Sequence, residues 1–212
     1  MLAVPPEDLA ALARDIAACR ICRDRPAGAP LPHEPRPVAH LSATARVLVA
    51  GQAPGTKVHA SGLPFDDASG DRLRAWMGIG RDLFYDQARL AFLPMGFCFP
   101  GQDEAGGDLP PRRECAGAWR ARAVAAMPQV ELVLAVGQYA QAWHLGRERP
   151  AGMTATVRAW RAILEASRRP RILPLPHPSW RNSGWLKRNP WFEAELLPAL
   201  RAEIRGLVGD TE

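Results

Sequence analysis

Apolar and polar residues are patterned along this chain as alternating helices and buried strands. Apolar positions at helical spacing (Leu9, Leu12, Ile16 and Ala17) predict an N-terminal helix that ends just before Cys19. Continuous apolar runs predict four strands, at Arg46–Ala50, Leu90–Met95, Glu131–Val136 and Arg171–Leu175. The further predicted helices are Ser69–Ile79, Arg113–Ala126, one that begins at Gly137–Gln141, and Trp191–Arg205.

Strands that alternate with helices favour an α/β fold, a parallel sheet covered by helices on both faces. In such a fold the functional loops follow the carboxyl ends of the strands, where Gln52, Pro94 and His177 fall. The Pro-rich segment 24–45 lacks periodicity and is predicted to be a loop. With 212 residues and 23.2 kDa, the chain is expected to form one domain over residues 1–212.

Composition and charge narrow the function classes. No apolar run approaches the roughly 18 residues of a membrane helix, and the start of the chain, MLAVPPEDLA, does not resemble a secretory signal. We therefore expect a cytoplasmic protein. The net charge of +5 and pI of about 9.5 suit a polyanionic partner such as nucleic acid. Genomic base composition is an alternative source of the arginines, since only Lys57 and Lys187 are lysines.

Basic residues are concentrated around one His-Pro-Ser motif near the C-terminus, as a phosphate-binding rim would require. They are Arg168, Arg169, Arg171, Arg181, Lys187 and Arg188.

The four cysteines are the first chemical signal. Cys19 and Cys22 form a CxxC motif, and Cys98 and Cys115 lie far downstream. Two such pairs can surround one tetrahedral metal or one cubane cluster, and the spacing does not separate zinc from iron. The alternative is a redox-active or accidental CxxC beside two ordinary buried cysteines. The Gly- and Pro-rich setting of Cys98 favours the metal site.

Two further motifs follow predicted strands. Gly51-Gln-Ala-Pro-Gly55 is a tight turn with one amide side chain, which by itself is also compatible with an ordinary strand-to-helix turn. His177-Pro-Ser179 lies among prolines that stiffen its backbone. A lone histidine is more often structural than catalytic, but the flanking prolines favour a fixed imidazole.

In order and type, these motifs resemble the uracil-DNA glycosylase superfamily, most closely its iron-sulfur branch, over Cys19 to Arg205. That branch has a CxxC, a GEAPG turn, a G-x-PF segment (here Gly62–Phe65), a cysteine pair on a Pro-rich loop and an HPS motif. The resemblance implies a three-layer α/β/α fold with a mainly parallel four-stranded sheet. It also implies a four-iron four-sulfur cluster on Cys19, Cys22, Cys98 and Cys115, and excision of a uracil or related deaminated base from DNA.

The expected chemistry assigns a role to each motif residue. His177 stabilises the departing base anion, Gln52 positions water, and Phe65 stacks on the flipped base. Trp180 and Arg181 fill the vacated space and hold phosphates. Core packing is the alternative for Phe65 and Trp180. The remaining expected contacts are Gly51, Ala53, Pro54, Gly55 and Ser179 to substrate, and Lys187 and Arg188 to DNA.

Two positions depart from the iron-sulfur branch. Gln52 replaces an acidic residue and cannot act as a carboxylate base, although Asp66 or Asp67 offers a negative charge nearby or caps a helix. Pro94 replaces the asparagine that reads uracil, which puts strict uracil specificity in doubt.

These departures leave an alternative function, a cluster-containing DNA-binding protein with little or no glycosylase activity. A small-molecule hydrolase is disfavoured because the chain lacks a GxSxG elbow and a Gly-rich phosphate loop. We expect a nucleoid-associated monomer that acts on DNA and not on membranes.

Overall fold

A four-stranded parallel sheet forms the centre of the protein. The computed structural model describes residues 8–166 and 169–209. The strands are β1 (Val47–Ala50), β2 (Leu90–Phe92), β3 (Leu132–Val136) and β4 (Arg171–Leu175). Their order is β2-β1-β3-β4, and every neighbouring pair is parallel. The predicted α/β fold with a four-stranded parallel sheet is confirmed.

Helices cover both faces of this sheet. Val47 and Val49 of β1 pack into one apolar cluster, while Leu48 and Ala50 pack into another on the opposite face. Because both faces are buried, the strands are continuous apolar runs, as is typical of parallel sheets. The helices are Leu9–Ala17, Ile21–Asp24, Thr56–Ser61, Ala68–Met77, Arg81–Tyr85, Arg113–Cys115, Ala121–Ala125, Gly137–Leu145, Met153–Arg158, Trp160–Ala166, Ser183–Arg188 and Leu197–Val208.

Two helices contain π turns. The turn Ala116–Arg120 joins Arg113–Cys115 to Ala121–Ala125 in one continuous helix, and Phe192–Leu196 leads into the last helix. Across the described ranges, no helix is both long enough and apolar enough to cross a membrane.

Strand β2 is shorter than predicted. It ends at Phe92 rather than at Met95, although the predicted residues Leu93 and Met95 are buried. The Arg120 guanidinium donates hydrogen bonds to the carbonyls of Leu93 and Pro94, at 2.7 and 3.0 Å. These carbonyls therefore accept hydrogen bonds from a side chain instead of from a neighbouring strand.

Candidate active site

One pocket collects the residues that follow the carboxyl ends of all four strands. Gln52 follows β1, Pro94 follows β2, Gln138 follows β3 and His177 follows β4, and all four line this pocket. The predicted placement of Gln52, Pro94 and His177 at one edge of the sheet is confirmed. The other sequence-predicted residues that line it are Gly51, Ala53, Pro54, Gly55, Phe65, Ser179, Trp180 and Arg181.

His177 is held by its own turn in a single tautomer. The Ser179 backbone N–H donates to Nδ1 of His177 at 3.2 Å, so Nδ1 is an acceptor and the ring proton lies on Nε2. Burial lowers the pKa of His177, while the charges of Asp67 and Asp108 act in the opposite direction. The imidazole is therefore neutral at pH 7 and keeps one N–H donor.

The turn that carries His177 is fixed from two sides. Arg72 donates to the Ser179 carbonyl at 2.9 Å and to Oγ of Ser183 at 3.4 Å. The Asn182 side-chain amide donates to the His177 carbonyl at 2.7 Å. Arg72 belongs to helix Ala68–Met77, so a helix after β1 holds the loop after β4.

The Gly51–Gly55 turn is tied to the segment after β2. The backbone N–H groups of Met95 and Gly96 donate to the carbonyls of Gly51 and Gln52, both at 2.9 Å. The Gln52 side chain donates from Nε2 to the Leu109 carbonyl at 3.4 Å. Its Oε1 is the acceptor atom of the same amide, so the side chain orients a carbonyl oxygen within the pocket wall.

Base stacking and core packing were both expected possibilities for Phe65. It lines the pocket and also packs against the core, with Phe84 and Phe92 at ring distances of 6.3 and 6.2 Å. Its φ of 53° lies in the left-handed region, which is uncommon for a residue with a side chain. A Cβ on Gly51 would lie 3.1 Å from Phe65 Cζ, so glycine at position 51 gives the aromatic ring its place.

A loop between Cys98 and Cys115 forms one wall of the pocket. Gln102, Gly106 and Asp108 line it, and none of them was identified from the sequence. The loop has no periodic pattern that would have placed it there. Gln138 was also missed, although its position directly after β3 follows the same rule that identified Gln52 and His177.

Trp180 lies at the pocket mouth and is 73% exposed, which rules out core packing for this side chain. The Arg181 guanidinium lies 5.4 Å from the centre of the Trp180 ring and donates to the Gly106 carbonyl at 3.4 Å. Lys187 and Arg188 are exposed at the end of helix Ser183–Arg188 and do not line the pocket.

The prediction that all six basic residues surround the HPS motif is wrong for Arg169 and Arg171. Arg171 begins β4, whereas His177 follows its other end, a separation of roughly 20 Å at the rise of a strand. Both arginines are ion-paired, Arg169 with Glu131 at 3.3 Å and Arg171 with Glu203 at 2.5 Å. Arg168 lies outside the described residues.

Asp66 and Asp67 have different neighbours. Asp66 pairs with Arg81 at 3.1 Å, and Arg81 lowers the pKa of that carboxyl. Asp67 lines the pocket and caps helix Ala68–Met77, with Oδ1 accepting the Gly70 N–H at 2.9 Å.

The four cysteines line a second, smaller pocket together with Arg112. Cys22, Cys98 and Cys115 are buried and Cys19 is partly exposed, and all four are free thiols. Sulfur atoms at this pocket accept two hydrogen bonds. The Phe97 N–H donates to Cys115 at 3.2 Å and the Trp119 indole donates to Cys19 at 3.1 Å.

Burial raises the pKa of the Cys98 thiol to about 12, and it raises the pKa of Cys22 and Cys115 as well. Within the ranges 8–166 and 169–209, no group of three or more His, Cys, Asp or Glu side chains is arranged to hold a single metal ion. The four thiols thus share one pocket without converging on one point.

A family-level comparison agrees with this arrangement of fold and pocket. The family model of the uracil DNA glycosylase superfamily matches residues 38–201. The matched range contains every residue described above as lining the larger pocket, the one with His177, together with Cys98 and Cys115. It begins after Cys19 and Cys22. The chain belongs to the uracil DNA glycosylase superfamily.

Proposed function

We propose that this protein is a DNA glycosylase that hydrolyses the N-glycosidic bond of a flipped uracil or related deaminated base and so starts base excision repair. The observation that carries the proposal is the tautomer of His177. Its Nδ1 accepts the Ser179 N–H, which leaves a neutral Nε2–H donor in a pocket beside an aromatic ring. A fixed neutral donor suits a leaving group that becomes an anion.

Bond breaking leaves negative charge on the base and positive charge on the sugar. A preorganised donor stabilises the anion more strongly in the transition state than in the ground state. His177 supplies that donor without having to lose a proton, because burial keeps it neutral.

Phe65 provides the surface on which the extruded base rests. Extrusion of a base loses duplex stacking, and stacking on an aromatic ring in the pocket replaces part of it. The Tyr85 hydroxyl donates to the Phe65 carbonyl at 3.3 Å, which supports the uncommon backbone conformation of Phe65. Trp180 at the pocket mouth takes the place of the base in the duplex, and Arg181, Lys187 and Arg188 contact flanking phosphates.

Base selectivity is broader than strict recognition of uracil. Pro94 has no side-chain donor, and its carbonyl already accepts from Arg120 at 3.0 Å. The paired donor and acceptor of an asparagine are therefore missing at this position. Hypoxanthine and xanthine are consequently substrates to test beside uracil.

The four cysteines are proposed to hold a four-iron four-sulfur cluster with a structural role. Four buried or partly buried thiols around one pocket fit such a cluster, whose four corners need separate thiolates rather than a common point. The N–H donors to Cys19 and Cys115 and the Arg112 charge favour an anionic cluster there. When bound, the cluster would cross-link the N-terminal segment to the Cys98–Cys115 loop.

The cluster proposal is tested by colour and metal content. The purified protein should be brown and contain about four iron atoms per chain, and Cys98→Ser should lose the colour. A colourless protein that contains one equivalent of zinc would contradict the cluster and support a zinc site instead.

A second candidate function is a cluster-containing DNA-binding protein with little or no excision activity. The observation that favours it is the neutral side chain at Gln52. Its amide donates a hydrogen bond to the Leu109 carbonyl and supplies no negative charge that would stabilise the sugar cation. The two candidates differ in one measurement, the release of bases.

The deciding experiment incubates the protein with single- and double-stranded oligonucleotides that contain uracil, hypoxanthine or xanthine, followed by alkaline cleavage of abasic sites. Cleavage at one of these bases, lost in His177→Ala and partly retained in His177→Gln, supports the glycosylase. DNA binding without cleavage at any of them supports the second candidate.

A further inference from the structure

The pocket contains two carboxylates although the first motif contains none. Position 52 is glutamine, and Asp67 and Asp108 are the aspartates or glutamates among the described residues that line this pocket. Asp67 is engaged as a helix cap through its bond from Gly70. Asp108 caps no helix, so its position in the pocket calls for another explanation.

The Asp108 side chain is held in position by its loop. Gln102 and Asp108 form an antiparallel bridge, and the Leu109 N–H donates to the Gly101 carbonyl at 2.9 Å. The Gln102 side-chain amide also donates to Oδ1 of Asp108 at 3.2 Å. These bonds close a small hairpin, with Gln102 and Asp108 paired at its base.

The hairpin and the turn are in contact. A Cβ placed on Gly55 would lie 3.3 Å from Oδ2 of Asp108, and the neighbouring Leu109 carbonyl accepts the Gln52 amide. The charge of Asp108 also acts to raise the pKa of His177, against the lowering by burial. The Asp108 carboxylate thus lies beside the Gly51–Gly55 turn.

The charge of Asp108 is not neutralised by a basic partner. In the described part of the chain, the ion pairs involve other carboxylates, including Asp66 with Arg81, and none involves Asp108. An unpaired carboxylate that lines a pocket presents its negative charge to whatever enters.

We propose that Asp108 is the carboxylate of the reaction, an inference that rests on the proposed glycosylase function. The bond between the sugar C1′ and the base nitrogen breaks, and its electron pair leaves with the base, which His177 stabilises. A water oxygen bonds to C1′, and Asp108 accepts the proton that this water loses. The base anion takes a proton from solvent, and Asp108 returns its proton to solvent.

The test compares single-turnover excision by the wild type, Asp108→Asn and the matched variant Glu104→Gln, on a base that the wild type releases. Glu104→Gln removes a carboxylate from the same loop that does not line the pocket. We expect Asp108→Asn to lower the rate roughly 100-fold, the lower range for loss of a general base, and Glu104→Gln to change it less than threefold.

A second measurement separates chemistry from structure. Gln52→Glu placed in the Asp108→Asn background introduces a carboxylate in the neighbouring Gly51–Gly55 turn and should raise the rate of Asp108→Asn at least tenfold. The affinity of Asp108→Asn for uracil-containing DNA should equal or exceed that of the wild type, since a negative charge near phosphates is removed.

Three outcomes overturn the inference. If the wild type is active and Asp108→Asn is as fast as Glu104→Gln, Asp108 is not the base although the glycosylase function stands. If Asp108→Asn is slow but binds DNA much more weakly and is not rescued by Gln52→Glu, its role is structural. If the wild type releases no base at all, the proposed function fails and this role fails with it.

Discussion

A single hydrogen bond from a backbone amide decides which nitrogen of His177 is a donor. The Ser179 N–H belongs to the same HPS turn as His177, so the bond is formed wherever that turn is formed. The histidine, the proline that stiffens the turn and the serine two residues later therefore act as one unit. A substitution of any of these three residues is therefore expected to change the orientation of the His177 Nε2–H donor or to remove it.

His177→Ala should slow the release of the base more than any change at Gln52 or Phe65. Removal of one preorganised donor costs on the order of 3 kcal/mol of barrier, or about 100-fold in rate. Gln52→Ala should cost less, because a neutral amide only orients water. Single-turnover rates measure both effects, and an unchanged rate in His177→Ala would reject this active site.

His144 predicts how the stability of the protein depends on pH. Burial and the Arg120 charge lower its pKa to about 3, and its Nε2 lies 2.6 Å from the Arg120 guanidinium. In the unfolded chain His144 binds a proton near pH 6.5, whereas in the folded chain it stays neutral until a much lower pH. The free energy of unfolding should therefore fall as the pH drops from about 6.5 towards 3, by at most about 1.4 kcal/mol per pH unit from this group.

Urea unfolding at several pH values measures this slope. His144→Gln removes the titrating group and should have a flatter slope in the same window. A parallel decline in the variant and the wild type would assign the acid sensitivity to other groups, such as His40, whose pKa burial also lowers.

At the scale of elements, the sequence predicted the structures that have a strong pattern. All four strands and the long helices near Ala68–Met77 and Leu197–Val208 were predicted within a few residues, because apolar runs and helical spacing report burial directly. Short helices such as Thr56–Ser61 and Arg81–Tyr85 were missed, since five or six residues do not display a period. The end of β2 was wrong because the partner of its carbonyls, Arg120, is distant in sequence.

The candidate site was predictable to the same extent. Residues directly after strands were found, since the rule for parallel sheets places them at one edge. Asp108 was not, because its place in the pocket depends on the fold of an irregular loop that no local pattern encodes.

The contact between Arg72 and the HPS turn predicts that a substitution outside the HPS motif lowers activity. Arg72 ties helix Ala68–Met77 to the HPS turn through the Ser179 carbonyl. Arg72→Ala should slow excision roughly 10-fold or more, because small displacements of a catalytic group are costly. Its melting temperature should change little, and Arg72→Lys should recover part of the rate. A rate equal to the wild type would mean that the prolines alone fix the turn.

At the scale of the whole molecule, basic residues divide between the two ends of the sheet. Arg181 lines the pocket, and Lys187 and Arg188 end the helix that follows the HPS turn. Arg169 and Arg171 are ion-paired at the start of β4. The net charge of +5 therefore does not describe the DNA-binding surface; the position of each charge does.

The double variant Arg181→Ala/Arg188→Ala should weaken binding to DNA and reduce its dependence on salt. Loss of two phosphate contacts lowers the slope of log K against log salt by about 1.8. Arg169→Ala/Arg171→Ala is the control, with the same change in net charge at the opposite end. Titrations by fluorescence anisotropy measure both slopes, and equal slopes for the two variants would contradict the proposed surface.

The exposure of Trp180 gives the protein an optical reporter of its own. Of the seven tryptophans, Trp180 is 73% exposed, Trp143 is 38% exposed, and Trp76, Trp160 and Trp185 are buried. An indole in water emits at longer wavelength and is reached by iodide. If Trp180 enters the duplex, DNA should shift the emission to the blue and protect it from iodide, and Trp180→Phe should abolish both changes. The arrival of DNA can thus be timed in a stopped-flow fluorimeter without a label on either molecule.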